Sequence, residues 1–378
     1  MLNEVKLSSI YLLFAVLLLA GCGSKDNPPD EMGEYPEGKN VYAAGFEKDA
    51  QGNPVAKVWK NGVLQTFTKN AGSIVRTSET DGSVFYSMAT SVYVSGNDVF
   101  VVGYVSLTAA SGPPIRARLW KNGVVQHLDN RDFDHMALSV FVSGDDVYVL
   151  GYEIVEIAYT ANIIVWKNGK AEMIAENIDI RSQGGDYVLL FSRIANSIFV
   201  SDGDVYIAGR IQKQAKLWKN GVAEDLEGGE SAQSVFVSGE EVYVAGYGDS
   251  GAKLWRDGNV INLTNAGKNA CAYSVYVSGS DVYVAGADGF IEGSARLWKN
   301  GVLQDLPDVR DAVMFRSVFV KGNDVYLGGY VVADQEVEPG SGVVPMTYFK
   351  ATLWRNGKKL KLDVGKRNDS ELSSVFVN

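Results

Sequence analysis

The sequence has few of the residues that proteins use for metal binding and nucleophilic catalysis. Two histidines and two cysteines occur in 378 residues, so no disulfide framework is readable and histidine-based catalysis has little material. No phosphate-binding glycine loop, dinucleotide fingerprint or Gly-x-Ser-x-Gly elbow is present. We therefore expect no metal and no cofactor, and Cys271 as a small, partly buried residue. A Ser-His-Asp triad through His135 is the catalytic alternative that the sequence leaves open.

A basic surface is also missing. The formal net charge is −10, with 35 Lys and Arg against 45 Asp and Glu, and no Lys/Arg cluster occurs. Nucleic-acid binding needs a basic footprint that displaces counterions, so no nucleic-acid partner is expected. Proline is scarce (9), whereas glycine (41), tyrosine (19) and tryptophan (7) are frequent. That composition favours many short strands joined by tight turns.

Long apolar runs are absent except at the N-terminus, where Ile10–Leu19 is continuous. The run is too short to span a bilayer of about 30 Å, and it has the layout of a secretory signal. It leads into Leu-Ala-Gly-Cys22, which resembles the lipobox of bacterial lipoproteins; an ordinary signal peptide with a chance cysteine is the alternative. The resemblance implies a signal peptide over residues 1–21 and a Cys22 that carries lipid chains such as palmitate. Residues 22–39 have no apolar periodicity, which predicts a flexible tether.

The lipobox resemblance also implies a location. A lipid-bearing Cys22 would hold a monomeric protein on a membrane of the cell envelope. Gly23 follows in place of an aspartate, which by the sorting habit of this family favours the outer membrane. The leaflet is not specified.

Internal repeats dominate residues 40–378. Each tryptophan precedes a Lys/Arg-Asn/Asp-Gly turn, and Asn-Gly or Asp-Gly is the strongest short signal for a two-residue hairpin of type I′. Neighbouring tryptophans lie from 37 positions (Trp218 to Trp255) to 61 positions (Trp59 to Trp120) apart. We predict that the tryptophans are large fillers between repeats and not ligand contacts. They are Trp59, Trp120, Trp166, Trp218, Trp255, Trp298 and Trp354.

A second hairpin recurs upstream of each turn, as Ser-Val-aromatic-Val-Ser-Gly-x-Asp-Val-Tyr-Val-Ala-Gly in Ser234–Gly246 and Ser274–Gly286. Each unit therefore has four antiparallel strands, A to D, which is the signature of a propeller blade. The first unit begins with strand B at Asn40, and the chain finishes with a strand A at Ser374–Asn378. We predict an all-β, seven-bladed β-propeller in which this C-terminal strand closes blade one. The pattern resembles the bacterial propeller repeats of the YVTN and NHL type.

Two repeated residue types have structural interpretations. The glycine that ends strand B is expected to relieve crowding at a bulge or bend. The aspartate before strand B is interpreted as a turn residue and not as a metal ligand. It recurs at Asp98, Asp146, Asp204, Asp281 and Asp324.

Functional residues are expected on one face only. The A–B and C–D hairpins are short and uniform and define the hairpin face. The B–C and D–A connections, such as Thr68–Thr90, Glu153–Asn162 and Val331–Lys350, are long and varied and define the long-loop face. Loops on a rigid scaffold are where binding residues concentrate. The long-loop face is therefore the candidate binding face.

The mouth of the central channel is the finer candidate. The residue before each strand A varies while the serine after it does not, which predicts a ring of non-repeated side chains. We call these the mouth residues: Thr90, Leu138, Asn196, Gln233, Tyr273, Arg316 and Ser373. Further candidates for binding on the same face are Asp132, Asp134, His135, Arg181, Tyr187 and Arg310. Asp132, Asp134 and His135 could ligate a cation through oxygen, although a solvated loop is the favoured interpretation.

Three functions fit these features. The favoured one is a non-enzymatic, lipid-anchored envelope protein that binds a protein or glycan partner through the long-loop face. The alternative is a glycan-active envelope enzyme, a lyase or hydrolase, with its site at the channel mouth, for which paired carboxylates are required. A role in assembling outer-membrane proteins rests on architecture alone.

Overall fold

In a computed structural model of the chain, Gly33–Asn378 form one compact unit. The structure describes residues 32–66, 85–107, 115–129, 134–155, 160–179, 194–249, 251–264, 269–289, 294–306, 309, 312–334, 347–365 and 369–378. The predicted signal peptide, Cys22 and the first part of the tether lie outside these residues. No helix within the described ranges is long and apolar enough to cross a membrane.

The described strands form seven antiparallel sheets of four strands each. Strands A, B, C and D of blades two to seven follow in chain order, and blade one takes its strand A from the C-terminus. Blade one contains β28 (Ser370–Val377), β1 (Val41–Lys48), β2 (Pro54–Lys60) and β3 (Val63–Leu64). Blades two to four contain β4 (Phe85–Ser95), β5 (Asp98–Leu107), β6 (Ile115–Lys121), β7 (Val124–Gln126), β8 (Asp134–Ser143), β9 (Asp146–Val155), β10 (Thr160–Lys167), β11 (Lys170–Asp179), β12 (Ala195–Ser201), β13 (Asp204–Ile211), β14 (Gln214–Lys219) and β15 (Val222–Asp225). Blades five to seven contain β16 (Ser231–Ser238), β17 (Glu241–Gly248), β18 (Gly251–Arg256), β19 (Asn259–Asn262), β20 (Ala270–Ser278), β21 (Asp281–Asp288), β22 (Ser294–Lys299), β23 (Val302–Leu303), β24 (Ala312–Lys321), β25 (Asp324–Asp334), β26 (Thr347–Arg355) and β27 (Lys358–Leu360).

The predicted closure of blade one is confirmed. β28 pairs antiparallel with β1, with Val377 opposite Val41 and Phe376 opposite Tyr42. The amide of Asn378 donates to the carbonyl of Asn40 at 3.1 Å. This pairing covers the edge of β1, which would otherwise be open to association with another chain.

The predicted C–D turns are also confirmed. Each central Asn or Asp has φ between 47° and 52°, and the following glycine has φ between 77° and 83°. Positive φ at both central positions defines the type I′ turn. The Asn or Asp side chain also stabilises the blade, because its Oδ1 accepts a hydrogen bond from an amide at the start of strand B of the same blade, as from Val99 to Asn122 at 2.8 Å.

The tryptophans fill the spaces between blades, as predicted. All seven are at most 1% exposed. Where the acceptor of the indole N–H is described, it is a carbonyl just after strand D of the preceding blade: Trp59 donates to Asp363 at 2.6 Å, and Trp255 donates to Glu227 at 3.0 Å. The bond of Trp59 joins blade one to blade seven and so helps to close the ring.

Each strand A carries a β-bulge opposite strand B, where the glycine of strand B was expected to relieve crowding at a bulge or bend. The register shifts between Ala89 and Ser91 in β4 and at the equivalent point of the other six inner strands. A glycine of strand B lies opposite, and a Cβ there would overlap a backbone carbonyl, as at Gly286 against Cys271. The glycine is thus required because two backbones approach closely, which confirms its predicted role.

The repeated aspartates hold the hairpin face together. Asp98 accepts from the side-chain amide of Asn122 at 2.7 Å and pairs with Lys121 at 2.7 Å. These two hydrogen bonds lower the pKa of Asp98. The same arrangement recurs at Asp146, Asp204, Asp281 and, with an arginine, Asp324.

The end of the predicted tether contacts the propeller. The amide of Gly33 donates to the carbonyl of Lys359 at 2.7 Å, and the Tyr35 hydroxyl donates to the carbonyl of Lys361 at 2.8 Å. Lys39 lies 3.9 Å from Asp324. Residues 33–39 therefore lie against blade seven before the chain enters β1.

Candidate functional site

A closed ring of aromatic side chains lies on the seven inner strands. In each strand A, one aromatic residue follows the repeated serine by two positions, so the two side chains lie on the same side of the strand. Neighbouring ring centroids are 4.5 to 5.0 Å apart, and the contacts return from the seventh ring to the first. We call this set the aromatic ring: Tyr93, Phe141, Phe199, Phe236, Tyr276, Phe319 and Phe376.

The side chains of the aromatic ring are arranged radially, with each ring pointing toward the channel axis. Neighbouring planes meet at 47° to 55°, close to the rotation of about 51° that relates neighbours in a sevenfold ring. Burial raises the pKa of Tyr276, and the charge of Tyr93, three blades away around the ring, raises it further. Because the seven side chains project toward the axis, the aromatic ring narrows the channel at this level.

A ring of hydrogen bonds fixes the inner strands to one another. The amide after each strand-A serine donates to the serine Oγ of the preceding blade, as from Val275 to Ser234 at 3.2 Å. The contact recurs between all seven pairs of neighbouring blades, including Val92 to Ser374 across the closure. The inner wall of the channel is thus held at a fixed diameter.

The mouth residues are the bulge residues of the inner strands. Each precedes its partner in the aromatic ring by three positions, toward the long-loop face. Several reach the next blade: Thr90 donates to the carbonyl of Ala137 at 2.9 Å, and Asn196 donates to that of Ala232 at 2.7 Å. Gln233 donates to Ser231 in its own strand at 2.8 Å. The mouth residues and the aromatic ring form two successive levels of one channel.

Arg316 connects three consecutive blades at this level. Its Nε donates to Glu371 Oε1 at 2.6 Å, and its guanidinium carbon lies 4.8 Å from the centroid of the Tyr273 ring. Burial, with smaller contributions from Cys271, raises the pKa of Tyr273, so its hydroxyl keeps its proton. The side chains of Arg316 and Glu371 are 35% and 21% exposed. A cation, a carboxylate and a phenol therefore meet at the mouth.

The prediction that Asp134 and His135 lie in a loop is wrong. Both residues belong to β8, and neighbours on a strand point to opposite faces. Asp134 accepts from the amide of Ile115 at 2.9 Å and from Arg116 at 3.4 Å. His135 is fully buried opposite Glu153, with its ring 5.9 Å from Trp166. The two side chains cannot share a cation, and no group of three or more His, Cys, Asp or Glu within the described ranges could hold a metal ion.

The remaining predictions concern four binding residues, one long loop and Cys271. Asp132, Arg181, Tyr187 and Arg310 lie outside the described residues, so their binding roles stay predictions. The predicted loop Val331–Lys350 is shorter than expected, because β25 runs to Asp334 and β26 begins at Thr347. Cys271 is 2% exposed, so it is more completely buried than the partly buried residue that was predicted.

Sequence reasoning missed a pair of carboxyl groups on the long-loop face. Glu230 precedes β16, and Asp249 follows β17 in the same blade. Burial, followed by a hydrogen bond and the charge of Asp249, raises the pKa of Glu230, while Lys213 and Arg210 lower it. The pair lies in two different connections, so no local spacing in the sequence marks it.

Two cavities lie away from the channel mouth. One of about 390 Å³ is at the outer strands of blade six, lined by Leu297, Leu303 and Gln304 among others. The other, of about 250 Å³, is lined by residues of blades one and two, including Tyr42 and Asn97. Neither involves a mouth residue.

Comparison with known proteins identifies no family. Neither a family model nor a curated protein matches the chain. Among solved structures, a proposed 6-phosphogluconolactonase from Bacteroides uniformis is 10% identical, with 90% of this chain covering 99% of that one at a TM-score of 0.46. Apo AztD from Citrobacter koseri is 10% identical (89% and 98% covered, TM-score 0.37), and the phage phi92 endosialidase is 12% identical (89% and 68%, TM-score 0.38). Similarity at this distance carries no argument about activity, and the seven-bladed architecture rests on the strand pairing itself.

Proposed function

We propose that this chain is a lipid-anchored envelope protein that binds a glycan through the channel mouth on its long-loop face. The observation that carries the proposal is the two-level channel. Non-repeated side chains, all polar except Leu138, surround its entrance, and the aromatic ring narrows it below. A concave site with an aromatic lining and a few fixed polar groups is the usual form of a small-ligand site.

The polar groups at the mouth suit the hydroxyl groups of a sugar. Asn196 and Gln233 use their N–H groups within the protein, and their side-chain oxygens have no hydrogen-bond donor within the described ranges. Arg316 supplies donors, and Tyr273 supplies an aromatic surface. A saccharide would find acceptors, donors and an aromatic face within one entrance.

Binding of oligosaccharides by the full chain in detergent micelles tests this proposal. Tyr273→Ala and Asn196→Ala should each weaken retention of a bound oligosaccharide by about tenfold or more, since about 1.4 kcal/mol is lost with a well-placed contact. Tyr283→Ala, a partly buried tyrosine near the hairpin face, is the matched control and should bind as the parent does. Equal retention by all four proteins would contradict a site at the mouth.

The anchor has a separate test. Cys22→Ser should move the protein from the membrane fraction to the soluble fraction of the envelope, because the acylated thiol is lost. Membrane attachment that persists in the Cys22→Ser variant would contradict lipidation, but it would not bear on the proposed binding site at the mouth.

A second candidate function is a glycan-active enzyme, favoured by the Glu230–Asp249 pair. A carboxyl group whose pKa is raised can act as a general acid near neutral pH while its neighbour stays ionised. Hydrolysis or elimination of an envelope glycan that is abolished by Glu230→Gln and retained by Glu224→Gln would support this alternative. Glu224 is an exposed carboxylate on β15 and so serves as the control.

A further inference from the structure

We infer that Arg316 is an oxyanion-binding fork, so that the glycan bound at the mouth carries a carboxylate or phosphate group. The inference rests on the proposed function, because it assigns ligand chemistry to the same mouth. Arg316 is the only charged mouth residue. The other six are threonine, leucine, asparagine, glutamine, tyrosine and serine.

The orientation of Arg316 is set on two sides. Glu371 on β28 binds its Nε, and the Tyr273 ring on β20 lies against its guanidinium at 4.8 Å. A guanidinium held in this way has already lost much of the side-chain entropy that ligand binding would otherwise cost. Its rotamer is therefore selected before any ligand arrives.

Most of the hydrogen-bonding capacity of Arg316 is unused. A guanidinium has five N–H donors, and within the described ranges only Nε of Arg316 has a partner. About a third of the side chain is exposed, 35%, so the terminal nitrogens can receive a ligand. Two parallel N–H groups match the two oxygens of a carboxylate or phosphate better than they match a sugar hydroxyl.

Arg296, another described arginine near the long-loop face, does not offer this combination. Arg296 is exposed to a similar extent, 33%, yet it directs both Nε and Nη2 to Asp288 Oδ2. Arg316 and Glu371 form a neutral pair, so binding depends on directed hydrogen bonds and not on net charge. We expect dissociation constants on the order of 1 mM for a single acidic sugar.

Saturation-transfer NMR on the full chain in detergent micelles tests the inference with three probes of similar size. Glucuronate carries a carboxylate, glucose 6-phosphate carries a phosphate, and glucose is neutral. At least one anionic probe should bind about tenfold or more tightly than glucose, and the preferred anion identifies the source of the oxyanion. Arg316→Gln should reduce anion binding to the level of glucose. Arg316→Lys, which keeps the charge and loses the fork, should fall between them. Arg296→Gln is the matched control and should bind as the parent does.

Two results would overturn the assignment, and they separate it from the proposed function. Anionic probes that bind no better than glucose, with binding lost in Tyr273→Ala, would leave a neutral glycan site at the mouth and remove the role of Arg316. Absence of saturable binding for all three probes would contradict both. Thermal denaturation of each variant establishes that a loss of binding does not reflect unfolding.

Discussion

At the scale of single residues, two tryptophans at the same repeat position differ in one hydrogen bond. Trp255 and Trp354 are both fully buried, but their indole nitrogens differ. Trp255 donates to the carbonyl of Glu227 at 3.0 Å, whereas Trp354 Nε1 has no acceptor within the described ranges. The same residue type at the same repeat position therefore contributes different free energies.

Replacing each of these tryptophans by phenylalanine isolates that difference. Both variants lose similar apolar volume, but only Trp255→Phe leaves a carbonyl unpaired. We expect Trp255→Phe to lower the free energy of unfolding by about 1 kcal/mol more than Trp354→Phe does. Urea denaturation followed by circular dichroism measures both, and equal costs would show that the indole hydrogen bond adds nothing.

Glu230 predicts a pH dependence of stability. Burial, followed by Asp249, raises its pKa above the ordinary value of 4.5. Folding therefore favours the protonated carboxyl, and this contribution is complete below the unfolded pKa and is lost as pH rises through the folded pKa. Relative to Glu230→Gln, the parent protein should lose stability as pH rises above about 4.5. Melting temperatures of the two proteins at several pH values measure this, and a constant difference would contradict it.

At the scale of elements, the inner strand carries most of the specificity of the fold. Its serine accepts a bond from the next blade, its aromatic residue enters the ring, and its bulge exposes a mouth residue. Ser234 accepts from Val275 at 3.2 Å, whereas the Ser238 hydroxyl has no partner within the described ranges. The two serines lie on the same strand, β16, four positions apart.

Ser234→Ala removes one of the seven bonds between inner strands. The amide of Val275 would lose its acceptor in a partly buried position, so we expect a cost of about 1 to 2 kcal/mol. Ser238→Ala should change the free energy of unfolding by less than about 0.5 kcal/mol. If the two variants have equal stability, the serine bonds do not hold the blades together.

The repeated elements were predictable because each has a local signal. Asn-Gly marks the turn, and alternation of Val with larger residues marks the two faces of a strand. The sequence predicted a bulge or bend at the glycine but not which strand carries the extra residue, because a register shift depends on two strands at once. For the same reason, the sequence placed Tyr273 and Arg316 near one another at the mouth but gave no indication of Glu371, which arrives from the other end of the chain. Asp134 and His135 were assigned to a loop because the strand that contains them begins earlier than the repeated pattern does.

On the scale of the whole molecule, stability depends on β28. Leu372, Val375 and Val377 are at most 4% exposed, and burial of each contributes about 1.5 to 3 kcal/mol. The sum is comparable with the total stability of a typical domain, about 5 to 15 kcal/mol. Without this strand, blade one lacks its inner strand and the contacts of that strand with blade seven.

Deletion of residues 370–378 should therefore abolish the cooperative thermal transition and produce association through the uncovered edge of β1. A permuted chain that carries residues 369–378 ahead of Asn40, joined by a short glycine linker, should restore the transition, because Asn378 already bonds to Asn40. Calorimetry and size-exclusion chromatography compare the three proteins. A monomeric deletion variant that melts like the parent would show that closure is dispensable.

The pairing of β28 with β1 also has a consequence in time. β1 is synthesised before the twenty-six strands that separate it from β28. Blade one therefore lacks its inner strand until nearly the whole chain has been synthesised. During synthesis, blades two to seven can form and pack in chain order, but the ring cannot close before β28 pairs with β1. Blade one is thus the first blade begun and the last one finished, and a polypeptide released early has no ring at all.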